Sequence, residues 1–153
     1  MSSVINFDTI GSFVGQEIGA THWEPVPQTR IDAFADCTGD RQWIHVDPER
    51  ARRESPFGTT IAHGFLTLST VADGALELLV KPLAASRTIN CGVDKVRFVA
   101  PVRAGSRIRS RYSIDAATPK GIDRVLVTLN VTVDIEDEEQ PALTGQLVFM
   151  VNR

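Results

Sequence analysis

The longest apolar segment of the chain is His63-Gly-Phe-Leu-Thr-Leu-Ser-Thr-Val-Ala-Asp-Gly-Ala-Leu-Glu-Leu-Leu-Val80. Apolar side chains recur in it at helical spacing, at Phe65, Leu68, Ala72, Ala75 and Leu79. Leucine and valine fill much of the remainder, and a helix that is apolar on most sides is typically buried. The sequence therefore predicts a helix over about residues 63–80, ended by Pro82, at the centre of the fold.

Four segments that follow this helix have the alternating pattern of strands: residues 86–99, 106–115, 123–135 and 142–151. Within the first, the apolar parity switches, which indicates a β-bulge near Gly92–Lys95. Polar turns connect the last three segments. The pattern predicts an α+β fold in which a curved antiparallel sheet wraps around the central helix.

Shorter elements are expected before the central helix. Thr29 is a candidate N-cap for a helix over about residues 30–37, which Gly39 would end. Asp47-Pro48 has the form of a second helix start, and this short helix should end before Pro56. Residues 17–26 are expected to form an entry strand, whereas residues 7–17 fit either a short helix or a loop.

The bulk composition predicts one ordinary globular domain, residues 1–153, with 42% hydrophobic and 23% charged residues. The net charge of −3 gives no basic footprint for nucleic acid or an anionic membrane. Polar residues interrupt the apolar stretch at 61–80, which argues against a membrane span. The N-terminus lacks the basic and apolar regions of a signal peptide, so we expect a cytoplasmic protein.

The two cysteines, Cys37 and Cys91, have neither CxxC nor metal-site spacing. We interpret both as reduced core residues of a cytosolic protein, in which a disulfide is not expected. The sequence contains no cluster with the spacing of a metal site, no P-loop and no glycine-rich dinucleotide fingerprint. It therefore predicts neither a bound metal nor a cofactor.

The residues that suggest chemistry lie in Phe34-Ala-Asp-Cys-Thr-Gly-Asp-Arg-Gln-Trp-Ile-His-Val-Asp-Pro-Glu49. This loop places a carboxylate, Asp40, five residues before an imidazole, His45. Such a pair can share one water, as the addition or removal of water requires. A short way on, His63-Gly64 opens the apolar helix, where main-chain N–H groups can hold a carbonyl oxygen. Together these features suggest chemistry on an unsaturated acyl compound.

The same residues resemble a known family. Thr38-Gly-Asp-Arg-Gln-Trp-Ile-His-Val-Asp-Pro48 is similar to the signature of the MaoC-like, (R)-specific enoyl-CoA hydratases. Phe57-Gly58 with Ile61-Ala-His-Gly64 resembles the second block of that family, and Lys95–Gly105 the third. The resemblance covers most of the chain and implies a hot-dog fold, usually found as a dimer of hot dogs or as a tandem pair in one chain.

The resemblance also implies an activity: reversible hydration of trans-2-enoyl-CoA to (R)-3-hydroxyacyl-CoA. It makes Asp40 the main acid/base and His45 the residue that orients and deprotonates the water, with the Gly64 N–H directed at the thioester oxygen. Coenzyme A or acyl carrier protein would be part of the substrate. Gln42 and Trp43 replace the usual Asn and Pro, and both are expected near the acyl group. We expect His63 to fix the loop by hydrogen bonding.

Alternatives stay open at this stage. Asp40 and His45 could be ordinary loop residues bonded to the backbone. A hot-dog thioesterase, a 3-hydroxyacyl-ACP dehydratase or a non-catalytic acyl-CoA-binding subunit would share the fold. The basic stripe of Arg103, Arg107, Arg109 and Arg111, although more typical of a solvated strand face, is a candidate for contacts with coenzyme A phosphates, and so are Lys95 and Arg97.

Overall fold

One antiparallel sheet frames the structure, a computed structural model that describes residues 4–153. Within these residues the strands are β1 (Glu17–Ala20), β2 (Glu24–Pro25), β3 (Arg87–Phe98), β4 (Arg107–Pro119), β5 (Arg124–Ile135) and β6 (Leu143–Asn152). Their order is β1-β4-β5-β6-β3, and β2 also pairs with β4. The predicted α+β fold with four long antiparallel strands is confirmed. The part of the predicted domain formed by residues 1–3 lies outside the described residues.

The helices of residues 4–153 are α1 (Gln28–Thr38), α2 (Trp43–Val46), α3 (Pro48–Glu54) and α4 (Gly64–Ala75). A 3₁₀ turn at Ile10–Phe13 resolves the uncertainty over residues 7–17 in favour of a short helix. The central helix α4 continues as a π-helical turn, Leu76–Val80, so the predicted helical span is confirmed but its last turn is wider. None of the helices described is long and apolar enough to cross a membrane.

The predictions of Gly39 as the end of the first helix and of Asp47 as the cap of the next are confirmed. Gly39 follows α1 with φ 82°, a left-handed conformation that glycine adopts without steric cost. The Asp47 side chain caps α3 by accepting a hydrogen bond from the Arg50 N–H at 2.9 Å. The prediction of Thr29 as the first cap is wrong. Pro27 occupies the N-cap position in an extended conformation, and α1 already begins at Gln28.

The core lies between α4 and the alternating side chains of β4, β5 and β6, whose inward positions are buried almost without interruption. Tyr112 on β4 ties the sheet to α4, because its hydroxyl donates a hydrogen bond to the Val71 carbonyl at 2.6 Å. Burial raises the pKa of this hydroxyl to about 12. A Cβ at Gly74 would lie only 2.5 Å from the same hydroxyl oxygen, so this close approach requires glycine.

The central helix is not buried all round, which corrects the prediction from its composition. Leu66, Val71 and Leu79 are in the core, whereas Phe65 is 69% exposed and Leu76 46% exposed. The side of α4 that carries Phe65 lies next to β3, an edge strand, with the centroids of the Phe65 and Phe98 rings 5.8 Å apart. Since β3 covers only part of this side, the apolar pattern overestimated the burial of the helix.

Strand β3 carries the predicted irregularity. Its pairing with β6 shifts register between Asn90 and Gly92 and again between Asp94 and Arg97, and Lys95 has φ 53°. Cys91 on this edge strand and Cys37 on α1 are both free thiols, but both are exposed. The prediction that they are core residues is therefore wrong, because Cys91 lies on an edge strand and Cys37 on the exposed last turn of α1.

The arginines of the basic stripe form ion pairs with carboxylates across the sheet. Arg107 pairs with Glu136 at 2.8 Å, and Arg109 and Arg111 both pair with Asp134. The hydrogen bond from Arg111 lowers the pKa of Asp134 and raises that of Arg111 itself. These pairings favour the interpretation of the stripe as an ordinary strand face.

Candidate active site

The site begins where α1 ends. Gly39 turns the chain out of α1 and leaves Asp40 exposed, and the single helical turn α2 then carries His45 into a buried position with 7% exposure. The Asp40 carboxylate and one ring nitrogen each of His45 and His63 lie within 4.8 Å of one another. Two hydrogen bonds of about 2.8 Å that meet at one water span roughly 4.6 Å. The carboxylate and the imidazole of His45 are thus close enough for one water to bridge them.

The main chain fixes the tautomer of His45. Its Nδ1 lies 2.7 Å from the carbonyl oxygen of Ile61, and a carbonyl only accepts hydrogen bonds. Nδ1 therefore carries the hydrogen, and Nε2 keeps a lone pair that can take a proton. Burial lowers the pKa of His45, outweighing the opposing hydrogen bond to Ile61. The neutral imidazole required of a base is thus favoured.

A polar network that no local sequence pattern indicated also holds His45 in place. Gln28 on α1 donates a hydrogen bond from Nε2 to the His45 carbonyl at 2.7 Å and another to Asp32 at 2.8 Å. The Thr60 hydroxyl donates to the Gln28 side-chain oxygen. The imidazole is thus anchored through its own main chain as well as through Nδ1.

His63 connects the two candidate catalytic residues. Its Nε2 lies 2.9 Å from the main-chain oxygen of Asp40. Its ring stacks on that of His45, with centroids 3.8 Å apart and an interplanar angle of 25°. The prediction that His63 fixes the loop by hydrogen bonding is confirmed, but its contact with His45 was not predicted because the two residues are far apart in sequence.

A largely apolar cavity of about 380 Å³ opens beside His45. Its lining includes Gly64, Phe65 and Thr67 from the first turn of α4, with Phe98 and Val99 at the end of β3. The first turn of a helix leaves main-chain N–H groups without intrahelical partners. A Cβ at Gly64 would lie 2.9 Å from the Phe98 ring, so glycine permits this packing. The predicted carbonyl-binding position therefore shares one cavity with His45.

A second apolar cleft of about 470 Å³ lies further along α4. Leu68, Val71 and Ala72 line it from the helix, and Cys91 and Val93 line it from β3. Both cavities thus follow the exposed apolar side of the central helix.

Gln42 and Trp43, the two departures from the family signature, lie at the start of α2. The Gln42 carbonyl accepts a hydrogen bond from the His45 N–H at 2.9 Å, while its side chain is exposed. The Trp43 ring lies against the guanidinium of Arg50, 4.4 Å from the ring centroid. The structure thus places the Trp43 ring against α3.

Asp40, His45 and His63 are residue types that bind metal ions, and the sequence spacing did not reveal that they meet. An ion bound by two imidazoles lies near both ring planes. The stacked rings of His45 and His63 are nearly parallel, so their planes do not meet close to the nitrogens. Two of the four ring nitrogens also already bond main-chain oxygens. The arrangement suits proton transfer with water better than coordination of an ion.

Comparison with known proteins agrees with this geometry. Residues 9–136 match the model of the MaoC-like domain. Nodulation protein N of Rhizobium leguminosarum bv. viciae is 46% identical over 93% of this chain and 88% of its own length. The 3-hydroxyacyl-thioester dehydratase Z of Mycobacterium tuberculosis is 40% identical over 91% of each chain. The unliganded (R)-hydratase PhaJ1 of Pseudomonas aeruginosa superposes with a TM-score of 0.73 at 24% identity, over 92% of this chain and 82% of that one. This last similarity supports the hot-dog fold.

Proposed function

Because this chain belongs to the MaoC-like dehydratase family, we propose that it catalyses the reversible hydration of trans-2-enoyl-CoA to (R)-3-hydroxyacyl-CoA. The observation that carries the proposal is the placement of Asp40 and His45 within reach of one water beside an apolar cavity. A relative named as a 3-hydroxyacyl-thioester dehydratase supports the same reaction class.

In the hydration direction, the Asp40 carboxylate and His45 Nε2 hold the attacking water. As the water oxygen bonds to Cβ of the enoyl group, one of its protons passes to this pair, with Asp40 as the main acceptor. The electrons of the double bond move towards the thioester carbonyl, and Cα then takes a proton from the pair. Dehydration follows the same steps in reverse. General acid–base catalysis of this kind contributes roughly 10²- to 10⁴-fold to the rate.

The negative charge that develops on the thioester oxygen needs hydrogen-bond donors. We assign this role to the Gly64 N–H at the first turn of α4, where the helix dipole adds to the stabilisation. The absence of a side chain at Gly64 leaves the carbonyl access to this N–H. Gln42 and Trp43 are assigned to the neighbourhood of the substrate, with Trp43 acting through the α2–α3 surface where its ring lies against Arg50.

The apolar cavities along α4 support an acyl chain as the ligand, carried by coenzyme A or by acyl carrier protein. The reaction moves water and protons and transfers no electron, so we assign no cofactor or metal ion. We also propose that the protein works in the cytoplasm.

A homodimer is the proposed assembly. Ile89, Val93 and Phe98 along the edge strand β3 are each about half exposed. Phe65 on α4 is 69% exposed, and Leu76 in the π-helical turn that follows α4 is 46% exposed. Exposed strand edges tend to be paired or covered, and a second copy of this chain would cover both apolar surfaces. Light scattering should give a dimer mass, and Val93→Asp should shift the protein towards the monomer. A wild-type protein that is monomeric at micromolar concentration contradicts the assembly.

One assay separates this activity from its alternatives. Wild-type protein with crotonyl-CoA should lower the enoyl-thioester absorbance without releasing a free thiol, and an (R)-specific 3-hydroxyacyl-CoA dehydrogenase should oxidise the product. Thiol release would instead indicate a thioesterase. Binding without turnover, with crotonyl-CoA and with a long-chain enoyl-CoA, would indicate a binding subunit. Turnover only with the acyl-carrier-protein thioester would change the carrier and not the chemistry.

A further inference from the structure

His63 is the buried titratable residue beside the proposed catalytic pair to which the mechanism gives no role. Only 2% of its surface is exposed, so its side chain is too buried to touch a substrate. Its neighbours Ala62 and Gly64 line the cavity. The His63 ring itself contacts the His45 ring and, at a centroid distance of 5.0 Å, the ring of Phe34. Any effect of His63 on the reaction must therefore act through its neighbours.

The hydrogen bond of His63 defines its tautomer. Nε2 lies 2.9 Å from the main-chain oxygen of Asp40, which only accepts hydrogen bonds, so Nε2 carries the hydrogen. His45 has the opposite tautomer, because its Nδ1 donates to Ile61. The His45 ring is therefore hydrogen-bonded to the main chain of Ile61 and the His63 ring to the main chain of Asp40, and the two rings stack on each other.

The other ring nitrogen of His63 argues against a purely structural role. Nδ1 is buried and has no hydrogen-bond partner among residues 4–153. A buried polar atom without a partner costs free energy, which an apolar side chain of similar size avoids. His63 also occupies the N-cap position of α4, but its side chain makes no capping hydrogen bond. Neither packing nor capping therefore accounts for a histidine here, whereas the Nε2 bond to Asp40 does.

We propose that His63 is a positioning residue, whose Nε2–H holds the main chain of Asp40 so that the Asp40 carboxylate stays within one water of His45. Asp40 needs this hydrogen bond because the other contacts of its loop hold it only weakly. This residue is exposed, and the hydrogen bonds within its loop, from its own N–H to Thr38 and from the Gln42 N–H to its carboxylate, are long, each 3.4 Å. The inference rests on the proposed hydration activity.

Two variants separate the hydrogen bond of His63 from its ring. His63→Phe keeps a ring against His45 but removes the donor. His63→Gln removes the ring but places a side-chain N–H within reach of the Asp40 oxygen. Because small misplacements of a catalytic group are costly, we expect kcat for crotonyl-CoA hydration to fall on the order of 10- to 100-fold in His63→Phe, with KM nearly unchanged. His63→Gln should recover most of that loss. The matched control is His22→Gln, at an exposed histidine in the loop between β1 and β2, which should retain wild-type kinetics.

The kinetic outcomes decide the proposal in both directions. A folded His63→Phe protein with wild-type kcat overturns it, and so does a His63→Phe protein more active than His63→Gln, since the ring would then matter more than the donor. A drop in thermal stability without the kcat pattern would also overturn it, because a merely structural residue gives that result.

A measurement without substrate keeps this inference distinct from the proposed function. The chain has three histidines, so ¹⁵N-histidine NMR of the wild-type protein can assign each ring. We expect the Nε2–H tautomer for His63 and the Nδ1–H tautomer for His45. In His63→Phe the Asp40 amide should show greater backbone mobility, and His63→Gln should restore its order. An Nδ1–H tautomer for His63, or an Asp40 amide unaffected by either variant, overturns the inference even if hydration is observed. Absence of turnover in wild type and in His22→Gln, with these NMR results intact, would instead count against the proposed function alone.

Discussion

The carbonyl oxygen of Ile61 accepts a hydrogen bond from Nδ1 of His45 at 2.7 Å, and this contact determines which nitrogen of the imidazole can act as a base. Ile61 lies in the loop before the central helix α4, whereas His45 lies on the single turn α2. The contact therefore aligns the proposed base with the helix start that carries Gly64. The proposed catalytic pair and the proposed carbonyl-binding position are therefore linked through the main chain.

The lowered pKa of His45 predicts the acid limb of the activity profile. Burial lowers this pKa from its usual value of 6.5 and so favours the neutral imidazole, which can accept a proton. The acid limb of kcat/KM should therefore have its midpoint below pH 6.5, measured with crotonyl-CoA across a constant-ionic-strength buffer series. A midpoint above pH 6.5 that is assigned to His45 would contradict the burial argument.

The same shift predicts an effect on stability. The unfolded chain takes up a proton on His45 near pH 6.5, before the folded protein does, so the folded state loses stability as the pH falls through and below that value. His45→Gln should remove this part of the pH dependence in urea unfolding measured from pH 7.5 to 5. An unchanged slope in the variant would show that other groups account for it.

Gly64 should tolerate even a methyl group poorly. A Cβ at this position would lie 2.9 Å from the Phe98 ring, and an overpacked site typically costs about 1–3 kcal/mol. Gly64→Ala should therefore lower the free energy of unfolding, at the small end of that range because Phe98 is half exposed. It should also raise KM, because the new methyl group enters the cavity beside His45. Gly11→Ala, where a Cβ meets nothing within 4 Å, is the control and should leave both quantities near wild type. Equal effects of the two changes would contradict the assigned packing.

Tyr112 should contribute to stability and not directly to chemistry. Tyr112→Phe removes a buried hydrogen bond to the Val71 carbonyl, which is worth about 0.5–1.5 kcal/mol. Chemical unfolding should show a loss in that range, with kcat for crotonyl-CoA within about 2-fold of wild type. A large loss of kcat at unchanged stability would mean that the docking of α4 on β4 tunes the site itself.

Sequence patterns predicted the sheet well because β4, β5 and β6 each have one buried face. Apolar residues alternate strictly at positions such as Val127, Leu129 and Val131, so only one strand register keeps all of them in the core. The same logic failed for α4 and β3. Phe65 and Val93 have apolar side chains that the single chain leaves exposed, and composition alone does not distinguish a core from an uncovered surface. The prediction that Cys37 and Cys91 are core residues failed for the same reason.

The candidate site was predicted only in part. Asp40 and His45 are close in sequence, so a local motif was sufficient to identify them. The residues that hold them, Gln28 and His63, are 17 and 23 positions away from the groups they bind. Such contacts depend on how α1 and the α4 loop pack together, and no local pattern encodes that packing. His63-Gly64 did stand out in the sequence, but its contact with His45 became evident only in the folded chain.

In the proposed mechanism the Asp40 carboxylate is the main acceptor and donor of the proton in water addition, so Asp40→Asn is the decisive substitution. The substitution keeps size and polarity at an exposed position, so folding should be preserved. Asp36→Asn, the same change at another exposed carboxylate of the α1 region, is the matched control. With crotonyl-CoA, kcat for Asp40→Asn should fall by roughly 10²- to 10⁴-fold while Asp36→Asn stays near wild type. A folded Asp40→Asn protein that hydrates crotonyl-CoA at nearly the wild-type rate would contradict the account.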